Sequence, residues 1–509
     1  SPAFRGNADD NRHSIPVGSL RAGGGEVVRC KMRAIMLFPT WTFVAFFLVV
    51  FAAGWALVRR RRAWQGFMLA ASYLFYAFWG SEFALLLAGY TVVNYLLGMA
   101  MMTARRRRGL LLALAVAVDL LPLAFYKYYG FFAFSLSELF GGEGVRGVLP
   151  LLDLVVPVGI SFTTFRGISY VVDAYRGNVQ EQPTLLEFSL FMSFFPYLAA
   201  GPIVRNGEVL PQFRARVERR RIDASRALYL ITLGLVKKVV IGDFLARNLV
   251  DGVFAAPGQY SSLDVVIGIH AYAAQIYCDF SGYTDMAIGV ALLLGVSLPK
   301  NFDRPYTAES LREFWRRWHM TLSRWLRDYL YIPLGGSHGS TLATYRNVIL
   351  TMLIAGIWHG AGWTFAVWGL LHGAGQAVEH ALIQRRKRRG LPPVIPSRIG
   401  LVVRRIVTLE FVCLAWIFFR ADSLSTAGAV IARTFTAWDS APSVSWLVVL
   451  AVVVGIGFQY LPDRLTRWVE KTVSLRAPLL QGAVFGAVLF AIVGLLGAEG
   501  MTRFIYIGF

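Results

Sequence analysis

The sequence predicts an all-α polytopic membrane protein, with about 10 to 13 membrane segments of the usual length. The 509 residues are 56% hydrophobic and only 16% charged, and their mean hydropathy is +0.53. An average soluble domain is less apolar than this. Many windows also reach the ~20 apolar residues that a spanning helix needs. Examples are residues 37 to 58, 64 to 80, 82 to 103, 109 to 134, 225 to 246, 262 to 296, 347 to 384, 401 to 419, 446 to 461 and 478 to 497.

The basic residues indicate topology rather than nucleic-acid binding. The net charge is +21, but the lysines and arginines fall in short clusters between apolar windows, which is the positive-inside pattern. With these clusters cytoplasmic, the first helix starts outside and the last one ends outside. Three windows then lie between two cytoplasmic basic clusters, namely 109 to 134, 149 to 171 and 184 to 204. Because three is an odd number, one of them should not cross the membrane fully. We expect 184 to 204, which contains Gly and Pro, to be a re-entrant or broken element.

The chain divides into a short extension and one membrane domain. Residues 1 to 35 are polar and Gly-rich and lack the order of a signal peptide, so we expect a disordered extension or a misplaced start before Met36. Residues 36 to 509 form the membrane domain, because no polar stretch reaches the ~50 residues of a small soluble domain. Cys30, Cys278 and Cys413 are scattered, which favours neither a disulfide framework nor a metal cluster.

An aromatic and Arg-rich stretch, residues 309 to 331, predicts one amphipathic helix at the membrane interface. Trp315, Trp318, Leu322 and Trp325 recur at helical spacing and arginines flank them. His319 lies beside this stripe, so we expect it to point toward the apolar interior.

Two carboxylates interrupt the apolar window upstream. Asp279 and Asp285 lie at membrane depth, where an acidic side chain costs about 2.5 to 3.5 kcal/mol. We expect them to pair with arginines of residues 312 to 327, a structural role that we favour over direct catalysis.

The histidines are the candidate catalytic residues. We interpret His270 as structural because its apolar helix offers no polar neighbour, which leaves His319, His359 and His372. Zinc ligands at short spacing are not apparent, and a haem held by paired histidines has little support. General acid–base chemistry needs only a histidine beside a hydroxyl or thioester in a dry cavity. His359 lies in "GIWHGAGW", whose glycines we expect to leave room for a substrate; these residues leave catalysis and packing equally open.

Long motifs in the right order resemble the membrane-bound O-acyltransferase (MBOAT) superfamily, and more narrowly its bacterial alginate O-acetylation branch. The resemblance extends from Met36 to the closing "FIYIGF". The motifs are "VPVGISFTTFRGISYVVDAYRG" (156 to 177), "YLAAGPIVR" (197 to 205), "YCDFSGYTDMAIG" (277 to 289), "NFDRPYTAESLREFWRRWHMTLSRWLRDYLYIPLGG" (301 to 336), "GIWHGAGWTFAVWGLLHG" (356 to 373) and "WIFFRA" (416 to 421).

The resemblance implies a fold and an active site. The helices would surround a central tunnel, with interfacial and re-entrant helices, in which a cytoplasmic donor meets an acceptor from the other side. The family's two active-site histidines fall on His359 and His319. We expect His359 to act as general base or to protonate the leaving thiolate, and His319 to orient the acyl carbonyl. Possible supporting residues are His372, Asp279, Asp285 and Trp358, and we expect His372 to be structural.

The resemblance also implies a reaction. The enzyme would be an O-acyltransferase, with no bound cofactor and no metal. Its donor would be acetyl-CoA or another acyl thioester, for example on an acyl carrier protein. It would sit in the bacterial inner membrane as a multi-pass protein, working with polysaccharide synthesis machinery and a periplasmic esterase-like acetyltransferase on alginate or a similar exported polymer.

Alternatives remain open at this point. The polymer could be peptidoglycan or cellulose. The protein could also be an acyl-group transporter that feeds a separate periplasmic transferase. The sequence shows no extramembrane domain that could hold a long polysaccharide, which favours relay over direct modification of a polymer.

Overall fold

Helices are the regular secondary structure of the described part of the chain. The computed structural model describes residues 36–139 except 37 and 39, residues 152–462 except 153, 217–222 and 393–395, and scattered positions between 464 and 492. These ranges contain no β-strand, which confirms the all-α fold class. The predicted extension, residues 1 to 35, and most of the last predicted span, 478 to 497, lie outside the described residues.

We number the α-helices in chain order. They are α1 (Trp41–Leu57), α2 (Arg61–Ala77), α3 (Ser81–Thr103), α4 (Arg108–Leu123), α5 (Tyr129–Leu139), α6 (Ile160–Arg176), α7 (Leu185–Ser193), α8 (Phe195–Leu198), α9 (Asn206–Arg214), α10 (Ala224–Leu235), α11 (Asp251–Ala255), α12 (Ser262–Leu293), α13 (Leu311–Arg317), α14 (Met320–Leu326), α15 (Thr341–His359), α16 (Trp363–Arg388), α17 (Arg398–Arg420), α18 (Leu424–Thr436) and α19 (Trp446–Gly457).

Several of these helices suit a bilayer. Helix α3, the continuous α4–α5 segment Arg108–Ser137 and helix α15 are long and apolar enough to cross one. Their outer faces expose large apolar side chains such as Leu85 and Leu110, as lipid contact requires and as water would oppose. The chain is therefore a polytopic membrane protein. The length and composition of a helix do not show whether it crosses a membrane. The number of 10 to 13 membrane segments therefore remains a prediction.

Residues 184 to 204 form a broken element, as predicted. Helix α7 begins with a capping box between Thr184 and Glu187. It ends at Ser193, and the chain turns at Phe194 into the single helical turn α8. Nearly all of this segment is buried inside the protein, where neighbouring helices satisfy the interrupted backbone.

The predicted single helix over 309 to 331 is wrong. Helix α13 ends at Arg317 and α14 begins at Met320, and between them His319 adopts a left-handed conformation with φ 42° and ψ 54°. The inward direction of the aromatic stripe is confirmed, since the side chains of Trp315, Trp318 and Trp325 are buried.

The break has a cause in the preceding segment of the chain. The backbone N–H of Asp303 donates to the carbonyl of Arg317 at 2.9 Å, and the N–H of Met320 donates to the carbonyl of Asn301 at 2.8 Å. Backbone groups that a continuous helix would pair internally are satisfied by residues 301 to 303. Helical periodicity contains no sign of this long-range pairing.

Glycines bring α15 and α16 into backbone contact. A Cβ added to Gly356 would lie 2.3 Å from the carbonyl oxygen of Phe365, and one added to Gly369 would lie 2.4 Å from that of Met352. At Gly360 the space is filled by the Phe365 ring, 2.1 Å from an added Cβ. The expectation that the glycines of "GIWHGAGW" leave room for a substrate is therefore wrong at Gly356 and Gly360, because α16 occupies the space beside both.

We predict that Gly369→Ala destabilises this hairpin. The added methyl group meets backbone that cannot move away, and overpacking of this kind costs about 1–3 kcal/mol. The midpoint of thermal unfolding in detergent should fall. Gly89→Ala on α3 is the matched control, because nothing lies within 4 Å of an added Cβ there. An equal effect of the two substitutions would contradict the packing account.

The carboxylates of α12 have basic partners, but not the predicted ones. Lys238 Nζ lies 2.5 Å from Asp279 and 2.7 Å from Asp243, and Lys237 Nζ lies 2.7 Å from Asp285. The arginine pairing is wrong because α12 packs against α10 and the π-helical turn after it, which carries both lysines. Arginines of 312 to 327 have carboxylate partners elsewhere, namely Glu313, Glu208 and Asp328.

His270 also has polar company, contrary to expectation. Its Nε2 lies 3.0 Å from the carboxylate of Glu410 and its Nδ1 lies 2.9 Å from the carbonyl oxygen of Val266. Glu410 is on α17, so α12 and α17 are linked at this point. The two bonds are consistent with the structural role that we predicted for His270.

Candidate active site

His359 is the last residue of α15 and its ring is enclosed by aromatic side chains. The ring centroids of Trp358, Trp368 and Phe419 lie 4.9, 5.1 and 5.2 Å away. Only 3% of the residue is exposed. Water is thus largely excluded from the ring, which favours strong interactions with any polar substrate that reaches it.

The end of α15 is held by a lysine that the sequence analysis did not single out. Lys127 Nζ donates to the carbonyl oxygens of Trp358 at 2.6 Å and His359 at 2.9 Å, and the hydroxyl of Tyr128 donates to that of Ile357 at 2.8 Å. These carbonyls have no partner within the helix, and a cation there also complements the negative end of the helix dipole.

Lys127 is brought to this position by an irregularity in the α4–α5 segment. Pro122 lies inside α4, and the turn that follows, Ala124–Tyr128, is π-helical. Proline removes a helical hydrogen bond, and π-helical turns occur frequently at functional sites. A lone lysine in an apolar span is itself a functional signal, so the sequence "PLAFYKYYG" contained the information that could have identified Lys127.

A cleft opens beside His359. It lies between the π-helical turn, the start of α6 and the end of α15. Three parts of the chain therefore meet around the cleft at the end of α15. The lining residues are Lys127, residues 156 to 162, Trp358 and His359.

His319 lies at the break between α13 and α14 and is completely buried. Its Nδ1 is 3.1 Å from Oδ1 of Asn301. Phe280 meets the ring edge to face at 4.7 Å, and Phe302 lies 6.4 Å away. The ring is thus fixed by one hydrogen bond and by aromatic packing.

His372 is part of the core between α16 and α13. Its Nδ1 accepts a hydrogen bond from Nε1 of Trp315 at 3.3 Å. The Trp368 ring lies 4.9 Å away and the Phe314 ring 6.1 Å away. These contacts agree with the structural role expected for His372.

The candidate histidines converge in space. His359 and His372 both contact the Trp368 ring, at 5.1 and 4.9 Å. His319 is connected to Trp318 through the Phe302 ring. Trp416 of α17 contacts Trp318, Trp368 and Phe419 at 5.1 to 5.9 Å, so one aromatic cluster connects the surroundings of the histidines. The structure thus brings together two helical segments that are distant in sequence.

The other predicted supporting residues separate into two groups. Trp358 lines the cleft and stacks on Phe165 with centroids 4.7 Å apart. Asp279 and Asp285 are engaged in the lysine pairs described above. Among the described residues, no group of three or more His, Cys, Asp or Glu is placed to hold a metal ion.

An ion-pair cluster anchors the turn after α14. Arg205 Nη1 lies 2.8 Å from Asp328, and the Tyr329 ring lies between the guanidinium groups of Arg176 and Arg205. Burial would raise the pKa of Asp328, but hydrogen bonds from Arg327 and Arg205 hold it below its usual value. Asp328 therefore remains charged at neutral pH and keeps this anchor intact.

We predict that Lys127→Met lowers both stability and activity. Two carbonyls lose a charged donor, which costs about 1.5–3 kcal/mol per hydrogen bond of this type. The His359 ring then loses its fixed position, and we expect the rate of catalysis to fall about tenfold or more.

Thermal unfolding and reaction rate, measured on the same preparations, test this prediction. Lys127→Arg should recover part of both quantities, because it retains a cation. Lys300→Met is the matched control, since Lys300 forms an exposed pair with Asp303 that contributes little. Wild-type stability and rate in Lys127→Met would show that the lysine does not hold the helix end.

Comparison with known families matches this chain to one family over its central part. The model described as "MBOAT, membrane-bound O-acyltransferase family" matches residues 172–403. That range contains His319, His359 and His372, but it ends within the first two turns of α17 and begins after Lys127.

Individual relatives extend the similarity over most of the chain. A Pseudomonas aeruginosa protein named "Probable alginate O-acetylase AlgI" is 41% identical, over 79% of this chain and 75% of its own. A Helicobacter pylori "Peptidoglycan O-acetyltransferase" is 36% identical, over 78% of this chain and 79% of its own. A Streptococcus thermophilus "Teichoic acid D-alanyltransferase" is 29% identical, over 54% of this chain and 70% of its own.

Proposed function

Because the chain belongs to the membrane-bound O-acyltransferase family, we propose that it takes an acetyl group from a cytoplasmic thioester and transfers or relays it across the membrane. The final acceptor in this proposal is an exported, alginate-like polysaccharide. Its relatives support the substrate class, since they are named for alginate and for peptidoglycan acetylation. The donor is acetyl-CoA or an acyl carrier protein thioester.

The observation that carries the proposal is that His319 and His359, from separate segments, are both buried and border one aromatic cluster. Acyl transfer to a hydroxyl needs a group that accepts the hydroxyl proton and a donor that stabilises the negative charge on the acyl oxygen. Two neutral imidazoles in a site with little water can provide both functions. The cleft lined by His359, Trp358 and Lys127 is where we propose that a substrate approaches this residue.

The wider setting is also part of the proposal. We place the protein in the inner membrane, with the basic clusters on the cytoplasmic side facing the donor. A periplasmic esterase-like acetyltransferase would accept the acetyl group and work with the polysaccharide synthesis machinery. The described helices are those of a membrane protein without a soluble domain that could hold a long polymer, which favours relay.

Purified protein in liposomes tests the proposal. Acetyl-CoA labelled in the acetyl group is supplied on one side and a hydroxyl acceptor on the other. We expect label in an ester of the acceptor, with loss of that label in His359→Ala. Appearance of intact labelled thioester on the far side would instead identify a transporter without covalent chemistry.

A further inference from the structure

Asn301 contacts the residues around His319 through its amide oxygen and its backbone carbonyl. It is buried, and its Oδ1 lies 3.1 Å from Nδ1 of His319, 3.1 Å from the backbone N of Thr321 and 2.8 Å from Thr321 Oγ1. Its backbone carbonyl accepts from the N–H of Met320. One residue therefore contacts three successive residues across the break between α13 and α14.

The donor and acceptor roles in this group follow from the backbone. A backbone N–H can only donate, so the Asn301 atom facing Thr321 N must be the amide oxygen and not the amide nitrogen. The hydroxyl of Thr321 accepts from the N–H of Ile203 at 3.0 Å, which leaves its own proton for Asn301. Both Thr321 contacts thus agree on an oxygen at this position.

The same oxygen determines the proton on the imidazole. An amide oxygen cannot donate, so Nδ1 of His319 must carry the hydrogen of their bond. A neutral imidazole has one such hydrogen, and Nε2 therefore holds the lone pair. We infer that Asn301 is a positioning residue that holds His319 as the Nδ1–H tautomer, so that His319 takes part in acyl transfer as a proton acceptor through Nε2.

This inference rests on the proposed function and assigns the direction of proton transfer. The acceptor oxygen forms a bond to the acyl carbon, and the carbon–sulfur bond breaks. The hydroxyl proton passes to Nε2 of His319 and then to the departing thiolate, so the imidazole ends neutral. The neutral ring has no N–H left to donate to the acyl oxygen, and that role falls to His359. The roles expected from the sequence are thereby exchanged.

The backbone conformation of His319 also indicates a functional role. A non-glycine residue with φ 42° is uncommon, and such strained conformations cluster at functional sites. Asn301 stabilises this conformation through the N–H groups of Met320 and Thr321, the first two of α14. Backbone and ring are consequently held by the same side chain, which fixes the orientation of Nε2 as well as its lone pair.

Nitrogen-15 NMR of histidine-labelled protein in nanodiscs tests the tautomer directly, with the His319 signal identified by its loss in His319→Gln. We expect Nδ1–H in the wild type and in Asn301→Asp, which keeps an acceptor oxygen. In Asn301→Leu we expect a mixture with the Nε2–H form. The kcat should fall about 10- to 100-fold in Asn301→Leu, as for other residues that orient an active-site histidine. Its KM for acetyl-CoA should change much less, and Asn301→Asp should restore most of kcat.

Asn347→Leu is the matched control, because Asn347 is equally buried but bonds to the loop before α15 through the carbonyl of Gly336. It should leave the His319 signal unchanged. An Nε2–H signal in the wild type would overturn the inference, even where Asn301→Leu does not fold. So would a leucine variant with wild-type signal and wild-type kcat. Absence of acyl transfer in the wild type would refute the proposed function, while the NMR result would still stand.

Discussion

Replacing His359 by alanine is expected to lower the rate of acetyl transfer by about 10²- to 10³-fold, as loss of an oxyanion donor does in other acyl-transfer enzymes. His359 lines the cleft and is enclosed by Trp358, Trp368 and Phe419. Alanine has no side-chain donor that could replace the imidazole N–H. Some loss of stability accompanies the cavity, but the helical bundle should remain folded in the membrane.

The rate with labelled acetyl-CoA in liposomes measures this effect, with size-exclusion chromatography to verify folding. His359→Gln should recover part of the activity, because its amide can still donate a hydrogen bond. His372→Gln is the matched control, a buried histidine of the same cluster whose replacement keeps an acceptor for Trp315. Wild-type transfer by His359→Ala would remove His359 from the chemistry.

Replacing His319 by glutamine is expected to lower kcat by about 10²- to 10⁴-fold, the usual contribution of a general base. The amide can occupy the space of the ring and can hydrogen-bond to Asn301, but it cannot take up a proton. Because the base acts on the acceptor hydroxyl, the KM for the thioester should change far less than kcat.

Steady-state kinetics with acetyl-CoA and a hydroxyl acceptor separate the two constants. Glutamine should restore part of the activity at position 359, where a hydrogen-bond donor is needed. It should not do so at position 319, where a proton acceptor is needed. Equal rescue by glutamine at both positions would contradict the assignment of His319 as proton acceptor. A rise in KM with unchanged kcat would indicate that His319 only binds the donor.

The fold class was predictable because it depends on composition and on local periodicity. The apolar windows, the broken element at 184 to 204 and the inward-facing aromatic stripe all follow from the order of neighbouring residues. The break at His319 did not, since it depends on hydrogen bonds to Asn301 and Asp303, which a helical pattern does not contain. Long-range pairing prevailed over local propensity at this point.

The candidate site was likewise predictable only in part. His319 and His359 were identified from motifs, and the structure places them together. Gly356 and Gly360 were misinterpreted because a sequence does not show whether free space faces a substrate or another helix. The partners of Asp279 and Asp285 were misassigned because a sequence does not show that α12 packs against the turn that carries Lys237 and Lys238. Lys127 could have been found from its charge within an apolar span.

The central claim is that His319 and His359 act together on one acyl group, and a double-substitution cycle tests it most directly. Transfer of labelled acetyl from acetyl-CoA to a hydroxyl acceptor is measured for the wild type, His319→Gln, His359→Ala and the combined variant. Because catalytic residues that act as a unit are not additive, we predict that the combined variant is about as slow as the slower single one. Transfer at the wild-type rate by the combined variant would contradict the account.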